Sequence, residues 1–176
     1  MLRQRGMALL VSLVLLIMVM LLGVSAALLS LQSEKAARGE RDRDVAFLVA
    51  EDALKDAERD IQASGGPFAA DCGAGWYERA PRGAKPVWQQ VDLSGEACTV
   101  KYGARTSAVM ETGTGFQPFR KPQYIIERMV CHQAGDDASA GAAPRYCYRV
   151  TAIGFGAKPE TEVVLQSVFS KPEEAP

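Results

Sequence analysis

Charged and apolar positions are distributed very unevenly along this chain. Between Met7 and Ser33 there is no Asp, Glu, Lys or Arg, and Leu, Val, Met, Ile and Ala fill most positions. About 20 such residues in a helix cross the roughly 30 Å hydrocarbon core of a bilayer, so 7–33 is expected to span a membrane. Arg3 and Arg5 precede it, and basic flanks stay on the cytoplasmic side, which puts everything after residue 33 outside. A secretory signal peptide is one competing reading, with Val24-Ser25-Ala26 as its cleavage site. Its apolar stretch would run only about 7–15 residues. A plain single-pass anchor is the other, and hydropathy alone does not separate it.

The residues that follow continue the helix, because no proline occurs before Pro67 and Ala, Glu, Asp, Arg, Lys and Leu dominate. Phe47, Ala50, Leu54, Ala57 and Ile61 recur at spacings of three and four, which draws an apolar stripe down a charged helix and predicts that something covers it. Glu34 with Arg38 and Glu51 with Lys55 are i,i+4 pairs on the wet face. Gly39 is the one weak position. The carboxylates at 51, 52, 56, 58 and 60 read as a solvated face. Ser64-Gly65-Gly66-Pro67 is the stop signal, so 7–63 is one rod of about 85 Å at about 1.5 Å per residue.

Past Pro67 the period changes. Gly and Pro mark a loop over 67–86, with Trp76 and Tyr77 packing it down. Val87–Leu93 and Ala97–Gly103, separated by Ser94-Gly95-Glu96, read as a hairpin. Tyr124–Cys131, Tyr146–Ile153 and Glu162–Phe169 read as strands, with Gly154–Pro159 as the last turn. Short connections between consecutive strands predict an antiparallel sheet that offers one face to the helix. The expected fold is α+β: a lollipop whose long N-terminal helix crosses the membrane in its first half and packs on a β head in its second.

Charge and chemistry narrow the function. Twenty basic and 21 acidic residues nearly cancel, which leaves no footprint for nucleic acid. The four cysteines lack a C-x-x-C spacing and there is one histidine, so a zinc site is not expected and no cofactor or metal is called for. Disulfides are expected instead, in an oxidising compartment. Four cysteines allow three connectivities; pairing in order, Cys72 with Cys98 and Cys131 with Cys147, is the preferred one, and the second pair would staple the ends of two adjacent strands. Cys131-His132 resembles a nucleophile beside a base, but neighbours on a strand point to opposite faces. Gly113–Phe116 and the turn at Gly154 lack the Gly-Lys-Ser/Thr ending of a phosphate loop. Arg79–Lys85 and Arg120-Lys121 read as solvated basic clusters. No enzyme is expected, and the loop 104–121 is the expected contact surface of the head.

The opening Arg5-Gly6-Met7-Ala8-Leu9-Leu10-Val11-Ser12-Leu13 resembles the class III signal sequence of type IV pilins and pseudopilins. Arg41-Asp42-Arg43-Asp44-Val45-Ala46-Phe47 with Ala50–Leu54, and Tyr148–Gly154 with Val163–Val168, resemble the PilX-type minor pilins. The resemblance covers the N-terminal third and the last two strands, and 67–120 carries none of it.

The resemblance implies a leader of residues 1–6, cut by a prepilin peptidase between Gly6 and Met7 with N-methylation of Met7. The apolar half 7–33 would then enter a fibre core beside other minor pilins and the major pilin. The amphipathic half 34–63 would carry the head, 64–176, from the periplasmic side of the bacterial inner membrane to the fibre. Most pilins carry Glu at the fifth mature position, and here that position is Val11. An amine without a counter-charge is costly in an apolar core, so the departure implies a low-copy place at a pilus tip that primes assembly. As a pilus component it would support twitching motility, adhesion and surface contact, with a tip adhesin as a candidate partner. The alternative is a K-like minor pseudopilin capping a type II secretion pseudopilus, although 64–176 leaves little room for its large inserted domain.

Overall fold

A computed structural model describes residues 5–64, 66, 68, 72, 75–132, 139 and 144–171. Arg3, Gly65, Pro67 and most of the 132–146 loop lie outside the described residues. The chain divides into two compact units, the first ending at Arg41 and the second beginning at Asp42.

One helix, α1, runs from Arg5 to Ala63 without a break in its assignment. In the first unit every described side chain from Met7 to Arg41 is exposed. It is the one helix among the described residues long and apolar enough to cross a membrane. Two of its hydroxyls turn inward on the backbone: Ser12 donates to the Leu9 carbonyl at 2.9 Å and Ser25 to the Leu21 carbonyl at 2.8 Å. Neither asks a lipid for a hydrogen bond.

In the second unit the remainder of α1 packs on one sheet. Its strands are β1 (Trp76–Glu78), β2 (Val100–Lys101), β3 (Gln123–Val130), β4 (Tyr146–Phe155) and β5 (Glu162–Phe169). Their order is β1-β3-β4-β5, with β2 also on β3. The last three form the antiparallel meander, in register Ile126 with Val150 and Ala152 with Leu165. β1 departs from the all-antiparallel expectation and lies parallel to β3, with Trp76 beside Ile126. β4 continues through Gly154 to Phe155, so the turn expected at 154–159 begins two residues later.

The hairpin expected over 87–103 is absent. Val87–Gln89 is instead a single 3-10 turn, entered from Pro86 at φ −58° and ψ 150°. Asp92 then folds the chain locally: its Oδ1 accepts the Ser94 N–H at 3.0 Å and its carbonyl accepts the Gly95 N–H at 3.1 Å. Such local bonds compete with strand pairing. Only Val100 and Lys101 remain extended, and they pair with Tyr124 and Gln123 of β3.

The core lies between α1 and the sheet. Ala53, Ala57 and Ile61 meet Trp76, Val100, Tyr124, Ile126, Val150 and Ala152. The covered stripe is rotated from the one expected. Ala50, Ala57 and Ile61 are buried, but Leu54 is half-buried and Phe47 is 42% exposed. Ala46, Val49 and Ala53 take the inward positions. Small side chains win there because the sheet comes too close for a ring. A Cβ on Gly154 of β4 would stand 2.1 Å from the Ala46 carbonyl oxygen and 2.6 Å from the Ala50 nitrogen. Helix and strand thus touch through their backbones.

Candidate functional site

Two surfaces carry the chemistry of this chain: the bare apolar half of α1, and the points where α1 holds the loops of the second unit. On the first, Gly6 and Met7 fall in the first turns of α1, which begins at Arg5. Met7 and Val11 are both exposed, on a stretch whose large apolar side chains from Met7 to Leu31 all lie bare. No carboxylate lies between Met7 and Ser33. Such a surface associates by packing against apolar chains or lipid and offers no charge to a partner.

The second surface is built on carboxylates. Asp42, Asp56 and Asp60 are buried, although Asp56 and Asp60 read as part of a solvated face. They share the phase of Ala46, Ala53 and Ala57 along α1, and that shared phase is the signal that sets them apart from Glu51, Asp52 and Glu58. Each one holds a different segment.

Asp42 faces the β4–β5 turn. Its Oδ1 accepts the N–H of Ala157 at 2.7 Å and of Lys158 at 3.2 Å, and its Oδ2 accepts the Thr161 hydroxyl. Burial pushes its pKa up, but these donors outweigh it and hold the carboxyl below the ordinary aspartate value. Gly156 is required there, since a Cβ would come within 2.8 Å of the Asp42 Oδ1.

Asp56 faces the segment after β2. Its Oδ2 accepts the Gly103 N–H at 2.8 Å and its Oδ1 the Thr106 hydroxyl. Gly103 sits at φ 74°, where a Cβ would strike the Ala108 carbonyl oxygen at 1.9 Å. Asp60 accepts from the Tyr124 hydroxyl at 3.2 Å and the Ser64 hydroxyl at 3.3 Å, with Arg105 Nε at 3.6 Å. Here burial wins over Arg105 and the hydroxyls, and the Asp60 pKa is raised. The Tyr124 pKa is raised too, first by burial and then by the Asp60 charge. Charge-assisted bonds of this kind contribute about 1.5–3 kcal/mol each.

The loop expected to make contacts, 104–121, is therefore pinned at its start by Asp56 and Asp60. At its end Phe119 packs edge-on against Phe155 at 5.4 Å, and its N–H bonds the Gly156 carbonyl at 2.8 Å. Between these anchors Val109 and Phe116 are exposed.

Both cysteine pairs are bonded. Cys72 and Cys98 have Cα atoms 4.8 Å apart, and Cys131 and Cys147 have them 5.7 Å apart. Cys131 lies just past the Val130–Tyr146 pair that ends the β3–β4 ladder. Its N–H bonds the Arg145 carbonyl at 3.0 Å, and its thiol is not available beside His132 as a nucleophile.

A family model described as "PilX N-terminal" matches residues 5–55, and one described as "Type IV pilus assembly protein PilX C-term" matches residues 53–171. The second match includes the stretch 67–120, where no motif of the family is visible in the sequence. Neither the curated proteins nor the solved structures provide a match.

Proposed function

Because the chain belongs to the PilX family of type IV pilus assembly proteins, we propose that it is a minor pilin that primes a pilus and is incorporated at or near its tip. The observation that carries this reading is the bare apolar half of α1, exposed from Met7 onward and free of carboxylates. A helix of that kind rests in a bilayer before assembly and among other pilin helices after it.

In this reading a prepilin peptidase removes residues 1–6 and leaves an amine on Met7. Arg3 and Arg5 hold the uncut start in the cytoplasm, and the head lies on the periplasmic side, where Cys72, Cys98, Cys131 and Cys147 oxidise. Other minor pilins and the major pilin meet it through α1. Val11 gives a neighbouring subunit's amine no counter-charge, so repeated placement along a shaft is disfavoured and the subunit stays at low copy. Twitching motility, adhesion and surface contact then follow from priming.

The test is the intact mass and N-terminal sequence of the protein from cells with and without the peptidase. A methylated Met7 that depends on the peptidase is expected. A start at Ala27, or an uncut Met1, overturns the reading.

A further inference from the structure

Glu127 stands on the face of β3 opposite Tyr124 and Ile126, and it is only 1% exposed. Its Oε1 accepts a long 3.4 Å bond from the Val87 N–H. Its Oε2 accepts no hydrogen bond among the described residues and lies 3.7 Å from Arg149. A buried carboxylate oxygen without a donor is rare in folded proteins.

Arg149 is as poorly served. Beyond that distant carboxylate, among the described residues it reaches only the Met129 sulfur, at 3.8 Å. A guanidinium has five N–H donors. Both groups line a cleft of about 250 Å³ whose wall is the turn 79–86, including Arg79 and Arg82. That turn is stiffened by Pro81 and Pro86. The same Arg79 and Arg82 border a neighbouring cleft of about 380 Å³ that ends on Val130 and Tyr146.

The geometry points to a binding site for an acidic residue of an extended peptide, whose carboxylate pairs with Arg149, Arg79 and Arg82. Arginine recognises carboxylates with two parallel bonds, and three arginines against one carboxylate leave the cleft in need of an anion. The volume suits one side chain. No aromatic ring lines the smaller cleft, so the usual platform for a sugar ring is missing. The adjoining cleft, where Glu78 and Arg128 stand beside half-exposed Val130, offers a seat for the peptide's next residue. That the peptide belongs to another component of the pilus rests on the assembly role proposed above; the chemistry of the cleft does not.

The test is a titration of the full-length chain in detergent micelles, followed by the backbone amide resonances of Gly83, Ala84 and Val87. The probe is N-acetylglutamate N-methylamide, with N-acetylglutamine N-methylamide and glucuronate as comparisons. Saturable shifts with the glutamate probe alone are expected. Arg149→Gln should weaken binding at least tenfold, whereas Glu127→Gln, which removes the negative charge beside the bound anion, should bind more tightly. Both variants are compared only where the rest of the amide spectrum matches the wild type. Equal binding of the glutamine probe, preference for glucuronate, or no saturable shift overturns the site and indicates a cleft filled by water. None of these outcomes touches the peptidase test, so the two readings fail separately.

Discussion

Gly154→Ala tests the backbone contact between α1 and β4. The added methyl would lie 2.1 Å from the Ala46 carbonyl oxygen, 2.6 Å from the Ala50 nitrogen and 2.8 Å from the Ala50 Cβ, where ordinary contact begins at 3.4 Å. The two nearest atoms are backbone and no rotamer moves them, so helix and strand must part by roughly 1 Å or more in an interior packed to crystal density. Overpacking of this type costs about 1–3 kcal/mol, and a backbone clash belongs at the upper end. At about 3 kcal/mol the loss corresponds to a fall of roughly 6–12 °C in Tm for a chain of this size. The assay is denaturant unfolding of the full chain in micelles, followed by tryptophan fluorescence, because Trp76 is wholly buried in the same core. Ala50→Gly in the same chain removes only the third contact and should restore little. Gly39→Ala is the control: nothing lies within 4 Å of its position, and it should stabilise α1 by about 0.5–1 kcal/mol. If Gly154→Ala unfolds within about 0.5 kcal/mol of the wild type, the backbone contact is not what sets the stripe of small residues.

Acid unfolding should separate the buried aspartates. The folded pKa of Asp42 lies below its ordinary value, so its contribution is complete above the unfolded pKa and disappears as the pH falls through the folded one; Asp42→Asn should lower stability at pH 6 and flatten the acid limb. Asp60 has the opposite sign: its folded form binds a proton more tightly, stability is lost as the pH rises from the unfolded pKa through the folded one, and Asp60→Asn should remove that loss. Replacing Cys131 and Cys147 by Ser should cost about 3 kcal/mol for a loop of that length, read in the same unfolding assay under non-reducing conditions. Val11→Glu should raise the number of copies along sheared fibres, counted by quantitative mass spectrometry; an unchanged count sinks the counter-charge argument for tip placement.

Much of this architecture was legible because long periodic segments announce themselves. The charge-free run from Met7 to Ser33 reads as a long apolar helix whatever its use, and the alternation over Glu162–Phe169 reads as a strand. Phe47 departs from its expected inward place because side-chain volume beside Gly154, and not hydrophobicity, decides which residues face the sheet. Asp56 and Asp60 depart in the opposite way. A carboxylate on a helix looks solvated until the loop that donates to it is known, and Gly103, Thr106 and Tyr124 lie some 45–65 residues away in sequence. The segment 87–103 failed for a third reason: apolar residues suggested strands, yet Pro86 and Asp92 settled the backbone locally.

The topology also has a kinetic side. β3 pairs with β4 and β4 with β5 through neighbouring segments of the chain, whereas the parallel partner β1 lies at the far end of the region between α1 and β3. Pairings that close long loops form late. The meander and its Cys131–Cys147 bond can therefore mature as a unit, and Trp76 can join Ile126 only afterwards. A newly made head would pass through a stage in which β3 lacks its parallel neighbour, and the duration of that stage sets how long the chain needs protection from other unfolded chains.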